Sequence, residues 1–145
     1  MNIGILGAGN IAGSMARTIC GMAAQGRPVT LYAVASRSQE KADAFAKAYG
    51  IPRAYGSYAA MLSDPLVELV YIATPHSHHA EQIRQCVAAG KPVLCEKSFT
   101  ANAKQAEDVL REAEAAGVYV AEAIWTRYMP CLLYTSPSPR DTERS

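Results

Sequence analysis

The sequence predicts an α/β chain built on a doubly wound parallel sheet, and three observations carry that reading. Short runs rich in Ile, Leu and Val alternate with segments of helical apolar period over residues 1–123. Connections are short, and glycines stand where helices would close, at Gly26, Gly50, Gly90 and Gly117. The apolar runs are close to continuous, as strands buried on both faces require. With 145 residues, 50% hydrophobic and 19% charged, the chain has the size and composition of one globular domain.

The elements follow in order. Asn2 to Leu6 forms the first strand, and Asn10 reads as the N-cap of a helix with Ile11, Met15, Ile19 and Met22 on its inner face. Pro28 to Ala35 is the second strand. Ser38 then caps a helix whose Ala42, Phe45, Ala46 and Tyr49 recur at i, i+3, i+4 and i+7. Ile51 to Tyr55 supplies a short third strand, and Ser57 to Leu62 a short helix stopped by Ser63-Asp64-Pro65. Leu66 to Ala73 is the fourth strand, followed by a helix carrying Ala80, Ile83 and Val87. Lys91 to Glu96 is the fifth. Thr100 or Asn102 caps a helix with Ala106, Val109, Leu110 and Ala113 inward, and Val118 to Ala123 is the sixth strand. Right-handed crossovers then give the spatial order 3-2-1-4-5-6.

Composition excludes several classes. A net charge of +1 provides no basic field for nucleic acid or an anionic membrane surface. No apolar run approaches the roughly 20 residues of a membrane span. No secretory signal opens the chain, so the expectation is a cytoplasmic protein. Cys20, Cys86, Cys95 and Cys131 lack C-x-x-C spacing, which argues against zinc and redox pairs and for buried or half-buried free thiols. Residues 124–130 are expected to begin a connection to a substrate domain. Residues 131–145, with Pro137 and Pro139 two apart, have no periodicity. They resemble the translation of a transposon adaptor used to prepare sequencing libraries and are expected to be non-native, a Pro/Ser linker being the other reading.

The chemistry gathers at strand ends. Gly7-Ala8-Gly9-Asn10-Ile11-Ala12 fits G-x-G-x-x-G/A. Gly7 makes the tight turn, Gly9 lets a pyrophosphate approach the backbone, and Ala12 permits close helix packing, so a dinucleotide is expected at the helix N-terminus. After the second strand stand Ser36, Arg37 and Ser38, with Lys41 a turn later, where an NAD site would place an acid. A guanidinium there pairs with a 2′-phosphate, favouring NADP; NAD remains possible, because Arg can also stack on adenine. After the fourth strand come Ala73, Thr74, Pro75, His76, Ser77, His78 and His79. The three His have no Cys or carboxylate partner at metal-ligand spacing, so no metal is expected. His76 and His79 are expected to face the cofactor cleft, with His78 outward. Glu96-Lys97-Ser98 follows the fifth strand, and a Lys there can act on a substrate hydroxyl or carbonyl; its plainer reading is a surface Lys paired with Glu96.

Together the glycine turn, Val34-Ala35-Ser36-Arg37, Tyr71-Ile72-Ala73-Thr74-Pro75-His76-Ser77-His78-His79 and Gly90-Lys91-Pro92-Val93-Leu94-Cys95-Glu96-Lys97 resemble the glucose-fructose oxidoreductase, inositol dehydrogenase and rhizopine-catabolism family. Glu122-Ala123-Ile124-Trp125-Thr126-Arg127-Tyr128-Met129-Pro130 is similar to its dihydrodiol and xylose dehydrogenase branch. The resemblance implies an NAD(P)-binding Rossmann domain and hydride exchange with a secondary alcohol of a sugar, polyol or cyclic diol. It implies a small-molecule substrate, a second α+β domain absent from this chain, and a homo-oligomeric full-length protein; the fragment alone is expected to be inactive. Lys97 would be the active-site lysine of a Glu-Lys-Pro motif in which Ser98 replaces the Pro, and Glu96 would contact the nicotinamide end. His79 matches the family's Thr-Pro-x-x-x-His position, and Trp125 and Arg127 would line the nicotinamide and the substrate entrance, although Trp125 reads equally as core. The rival functions are an NAD-dependent glycosidase of the same superfamily and a non-catalytic nucleotide-binding module.

Overall fold

The computed structural model describes residues 1–124. Six parallel strands form one sheet, β1 (Asn2–Leu6), β2 (Thr30–Ala35), β3 (Arg53–Tyr55), β4 (Leu69–Ile72), β5 (Val93–Glu96) and β6 (Val120–Ala123). Their order is β3-β2-β1-β4-β5-β6, as the crossover rule predicts. Helices α1 (Asn10–Ala24) and α2 (Gln39–Tyr49) cover one face, where Ala12, Ala16, Ile19 and Ala46 pack with Ile3, Ile5, Val34 and Tyr71. On the other face lie α3 (Tyr58–Leu62), α4 (His79–Ala88) and α5 (Ala103–Ala116). They bring Met61, Leu62, Ala80, Ile83, Cys86 and Val109 onto Leu6, Val70, Ile72, Val93 and Cys95. The direction of travel reverses between β1 and β4, and the connections swap faces there. In doubly wound sheets a ligand binds at that point.

Four strands begin two residues later than the apolar runs suggest, for a shared reason. Gly26, Gly50, Gly90 and Gly117 all have positive φ, between 65° and 78°, and close their helices in left-handed conformation. The next residue in each case, Arg27, Ile51, Lys91 or Val118, donates its N–H back to Met22, Ala46, Cys86 or Ala113 respectively. That is the Schellman pattern, and it withholds those N–H groups from the ladder. The fourth strand starts at Leu69, not Leu66, because Val67 N–H donates to Asp64 O in the preceding turn. Ser38, Ser57 and Asn102 cap α2, α3 and α5, so Asn102, not Thr100, is the cap before α5.

The inner face of α1 is corrected. Ala12, Gly13, Ala16 and Ile19 are buried, while Ile11 and Met22 are 50% and 39% exposed. Small residues let this helix lie close to the sheet and rotate its larger apolar groups outward; a Cβ on Gly13 would meet the Tyr49 hydroxyl at 2.5 Å. In α5 the stripe is narrower than the periodicity implies, since Val109 and Ala113 are buried and Leu110 is 46% exposed. Cys86 and Cys95 are buried free thiols, pushed up by burial, to about 12 for Cys86, whereas Cys20 is exposed, against expectation. No helix among the described residues is long and apolar enough to cross a membrane.

Within β2 an extra residue, Tyr32, stands between the pairs Ile3–Leu31 and Gly4–Ala33. Its hydroxyl donates to Asp64 Oδ2 at 3.1 Å, and Tyr55 donates to the same oxygen at 2.7 Å. The Tyr55 bond and the Leu66 N–H hold the Asp64 carboxyl below its usual range. A depressed folded-state value adds stability above the ordinary carboxylate range and loses it as pH falls through the folded value. Tyr55→Phe is therefore expected to destabilise the protein at neutral pH, with the difference from wild type shrinking at about pH 3, measured by urea denaturation at both pH values.

Candidate cofactor site

The carboxyl ends of β1, β2, β4 and β5 form one edge, and the turn after β1 lies at its centre. Gly7 N–H donates to Ala35 O at 2.9 Å and Ala73 N–H donates to Leu6 O at 2.9 Å, which joins this turn to the ends of β2 and β4. Gly7 has φ 105°, and a Cβ on it would lie 2.9 Å from Ala73 O, so conformation and space both demand glycine. Gly9 is different. Its φ of −100° and ψ of −171° suit any residue, it is exposed, and a Cβ there would meet no protein atom within 4 Å. The chain's own packing does not require glycine at this position, and its absence of a side chain leaves the backbone open to close approach from outside.

Gly9 is also the N-cap of α1, which corrects the assignment of that role to Asn10, the first helical residue. A capping oxygen must come from the extended residue just before the helix, and Gly9 has no side chain to provide one. No acidic residue occupies the first turn either. The N-terminal N–H groups and positive dipole end of α1, with Asn10 and Ile11 beside them, thus stand at the strand ends without a side-chain acceptor, an arrangement that suits a phosphate.

After β2, Ser36 is buried, its N–H donating to Tyr55 O at 3.0 Å and its Oγ accepting from Ser38 N–H at 3.4 Å. Arg37 and Lys41 are exposed beside it. Tyr58, which sequence reasoning did not single out, is half-buried close by; burial pushes its phenol up and the Arg37 charge pulls it down.

After β4, Ala73 and Thr74 are half-buried, and His76 and His78 are exposed in a single 3₁₀ turn. His79 is fully buried, so the expectation that its ring faces the cleft is corrected. Its Nε2 lies 2.8 Å from Thr74 O and its Nδ1 2.9 Å from Ser98 O, bridging the loops after β4 and β5. A neutral imidazole carries one N–H, so the ring donates to one of these two main-chain carbonyls, a group that would be costly to bury without a partner, and packs against the other. Thr74 Oγ1 donates to Oε1 of Gln82, another buried side chain the sequence did not flag.

After β5, both oxygens of Glu96 are engaged. Oε1 accepts from the buried Tyr71 hydroxyl and Oε2 from Lys97 N–H at 3.1 Å. Burial and the Glu96 carboxylate push the Tyr71 phenol strongly up, so it stays a donor. Lys97 meets Glu96 through its backbone; among the described residues its ammonium joins none of the ion pairs and is exposed. The Lys97–Ser98 peptide is cis. A cavity of about 410 Å³, lined by Ile11, Ser14, Met15, Thr18, Tyr71, Glu96 and Lys97, brings the first helix and the β5 end together. A hollow of about 600 Å³ between α3 and α4, bordered by Ala59, Leu62, Gln85 and Lys91, contains none of these groups. Trp125 and Arg127, with residues 125–145 as a whole, lie outside the described residues. Among the described residues, no group of three or more His, Cys, Asp or Glu is placed to hold a metal ion.

A glycine turn, an uncapped helix N-terminus and a basic group after β2, set at the switch point of this sheet, define an NAD(P)-binding Rossmann domain. The model of an oxidoreductase family with an NAD-binding Rossmann fold, glucose-fructose oxidoreductase, inositol dehydrogenase and MocA, matches residues 1–123, and the chain belongs to that family. It is 40% identical over 129 residues to a mouse trans-1,2-dihydrobenzene-1,2-diol dehydrogenase, covering 89% of this chain and 38% of that protein. A D-xylose 1-dehydrogenase (NADP(+)) of Hypocrea jecorina is 38% identical, covering 88% of this chain and 34% of its own length. Among solved structures, an NAD binding oxidoreductase from Klebsiella pneumoniae superposes with a TM-score of 0.84 at 31% identity, covering 92% of this chain and 37% of that one. A 3-ketoreductase from Actinomadura kijaniata in complex with TDP-benzene and NADP gives 0.83 at 28% identity, covering 92% and 41%. The chain thus spans about two fifths of the length of the relatives it matches.

The bridge made by His79 yields a stability test. His79→Ala removes the N–H donor to a main-chain carbonyl and opens a cavity between the two loops, with an expected loss of about 2–4 kcal/mol in urea denaturation. A loss below about 1 kcal/mol would contradict the bridge.

Proposed function

We propose that this chain is the cofactor-binding half of an NADP-dependent oxidoreductase that moves hydride between a nicotinamide and a secondary alcohol of a sugar, polyol or cyclic diol. The observation that carries the reading is Gly9, a glycine its own fold does not need, at the uncapped N-terminus of a 15-residue helix. Gly7, Gly9 and the first-turn N–H groups of α1 would hold the pyrophosphate. Ser36, Arg37 and Lys41 would hold the adenosine end. With no acid at the end of β2, Arg37 is free to pair with a 2′-phosphate. The relatives support this choice, one named for NADP(+) and one solved with it.

The nicotinamide, when bound, supplies the hydride acceptor or donor. Glu96, held by Tyr71 and the Lys97 N–H, borders the cavity beside it. Lys97 presents its side-chain amine to the substrate oxygen: as the neutral amine it takes the hydroxyl proton when the alcohol is oxidised, and as the ammonium it returns that proton to the oxygen when the carbonyl is reduced. The names of the relatives, a dihydrobenzenediol dehydrogenase and a xylose dehydrogenase, support the substrate class. Residues 124–130 would lead into the rest of the active site, and residues 131–145 are read as non-native. Free Cys20, exposed, suits a reducing cytoplasm. The near-neutral charge suits a small-molecule partner rather than nucleic acid. A homo-oligomer of the full-length protein rests on the family resemblance alone.

Two binding experiments test this assignment. Gly9→Ser adds a good N-cap at an unstrained position, so stability should stay within about 0.5 kcal/mol of wild type while NADPH affinity falls at least about tenfold by calorimetric titration. Unchanged affinity would remove the pyrophosphate from this turn. Arg37→Asp should raise the ratio of the NADP to the NAD dissociation constant by about tenfold or more, and an unchanged ratio would separate Arg37 from the 2′-phosphate.

A further inference from the structure

The turn that presents Lys97 has Ser98 where related motifs have proline, and it is held from two sides. His79, at the start of α4, contacts the Ser98 carbonyl at 2.9 Å. One residue on, Phe99 N–H donates to Glu122 Oε1 at 2.9 Å. Consecutive main-chain groups after Lys97 are thereby tied to α4 and to β6, on either side of β5.

Glu122 is unexpected where it stands. It is half-buried in the edge strand Val120-Ala121-Glu122-Ala123, paired in the ladder with Cys95, and joins no ion pair among the described residues. An apolar or β-branched side chain would serve the strand better. The carboxylate's return is a charge-assisted bond to a backbone N–H beyond the end of the neighbouring strand. We infer that Glu122 is a positioning residue for the Lys97 turn. It sets the main chain at Phe99, and so sets where the Lys97 ammonium and the Glu96 carboxylate stand relative to the nicotinamide half of the cofactor. The inference rests on the reading that Glu96 and Lys97 border that half. Gly7, Gly9 and Arg37 belong to β1, β2 and their turns, so the adenosine half should not sense Glu122.

The test is calorimetric titration of the 145-residue chain with NADPH and with 2′,5′-ADP, which represents the adenosine half alone. Glu122→Ala should weaken NADPH by about fivefold to tenfold and leave 2′,5′-ADP unchanged. Glu122→Gln keeps an acceptor oxygen at the same reach and should recover most of the loss. In ¹H–¹⁵N spectra the Phe99 amide proton should move upfield in the Ala variant and return toward wild type in the Gln variant. Should the Ala variant fail to fold, Glu122→Asp, one methylene too short to reach Phe99, takes its place against Gln. Equal weakening of both ligands, or of neither, overturns the proposal. Lys97→Ala separates the two levels: if it leaves NADPH affinity unchanged, the cofactor placement falls and the role of Glu122 with it. If it weakens NADPH while the Glu122 variants do not, only the role of Glu122 falls.

Discussion

The close approach of the first turn to the end of β4 is the constraint on which the rest of this structure depends. A Cβ on Gly7 would stand 2.9 Å from Ala73 O, and the chain passes that point only with glycine at φ 105°. This passage lets β1 and β4 lie side by side while the chain leaves them toward opposite faces. It also fixes where α1 begins, so that the N–H groups at the head of the helix stand at the strand ends. Gly7 is required by the fold, whereas Gly9, two residues on, is not.

Polar burial follows the same geography. The buried polar side chains among the described residues are Ser36, His79 and Gln82, and each belongs to a loop or helix start at the carboxyl edge of the sheet. No buried side-chain nitrogen or oxygen among the described residues lacks a hydrogen-bond partner. Elsewhere the two layers between helices and sheet are apolar. Apolar contacts carry no directional preference, whereas a hydrogen-bonded loop has one good geometry. Directional bonds are concentrated at the loops that carry Thr74, Glu96 and Lys97.

Two parts of the site are built differently. The end around the first turn is built from the main chain: glycines, a helix terminus and strand-end hydrogen bonds. The β5 end relies on side chains from four elements, with Tyr71 from β4, His79 from α4 and Glu122 from β6 arranged about Glu96 of β5 and the turn that follows it. The first is common to any dinucleotide domain of this topology, and the second is where a family adapts one cofactor scaffold to its own chemistry.

How much of this was legible in the residues depends on the range of the interaction. Element order, the helix-closing glycines, the switch point and the glycine turn are local patterns or follow from chain handedness, and the sequence by itself determined them. It also placed Arg37 and Lys97 at strand ends, because a residue's position on a strand is a matter of counting. Other features depended on packing. The rotation of α1 that exposes Ile11 follows from the closeness that Ala12, Gly13 and Ala16 allow, and periodicity of large apolar residues does not report it. Withdrawal of Ile51, Lys91 and Val118 from the strands was implicit in each glycine, but only the competition between helix cap and ladder decided it. His79 looked like a ligand group in a row of three histidines and became a buried bridge, since the carbonyls it contacts are five and nineteen residues away. Glu122 shows the same limit: a carboxylate in a short apolar strand signals that something needs it, but its partner, Phe99 N–H, is set by the pairing of β5 with β6, which only the tertiary structure supplies.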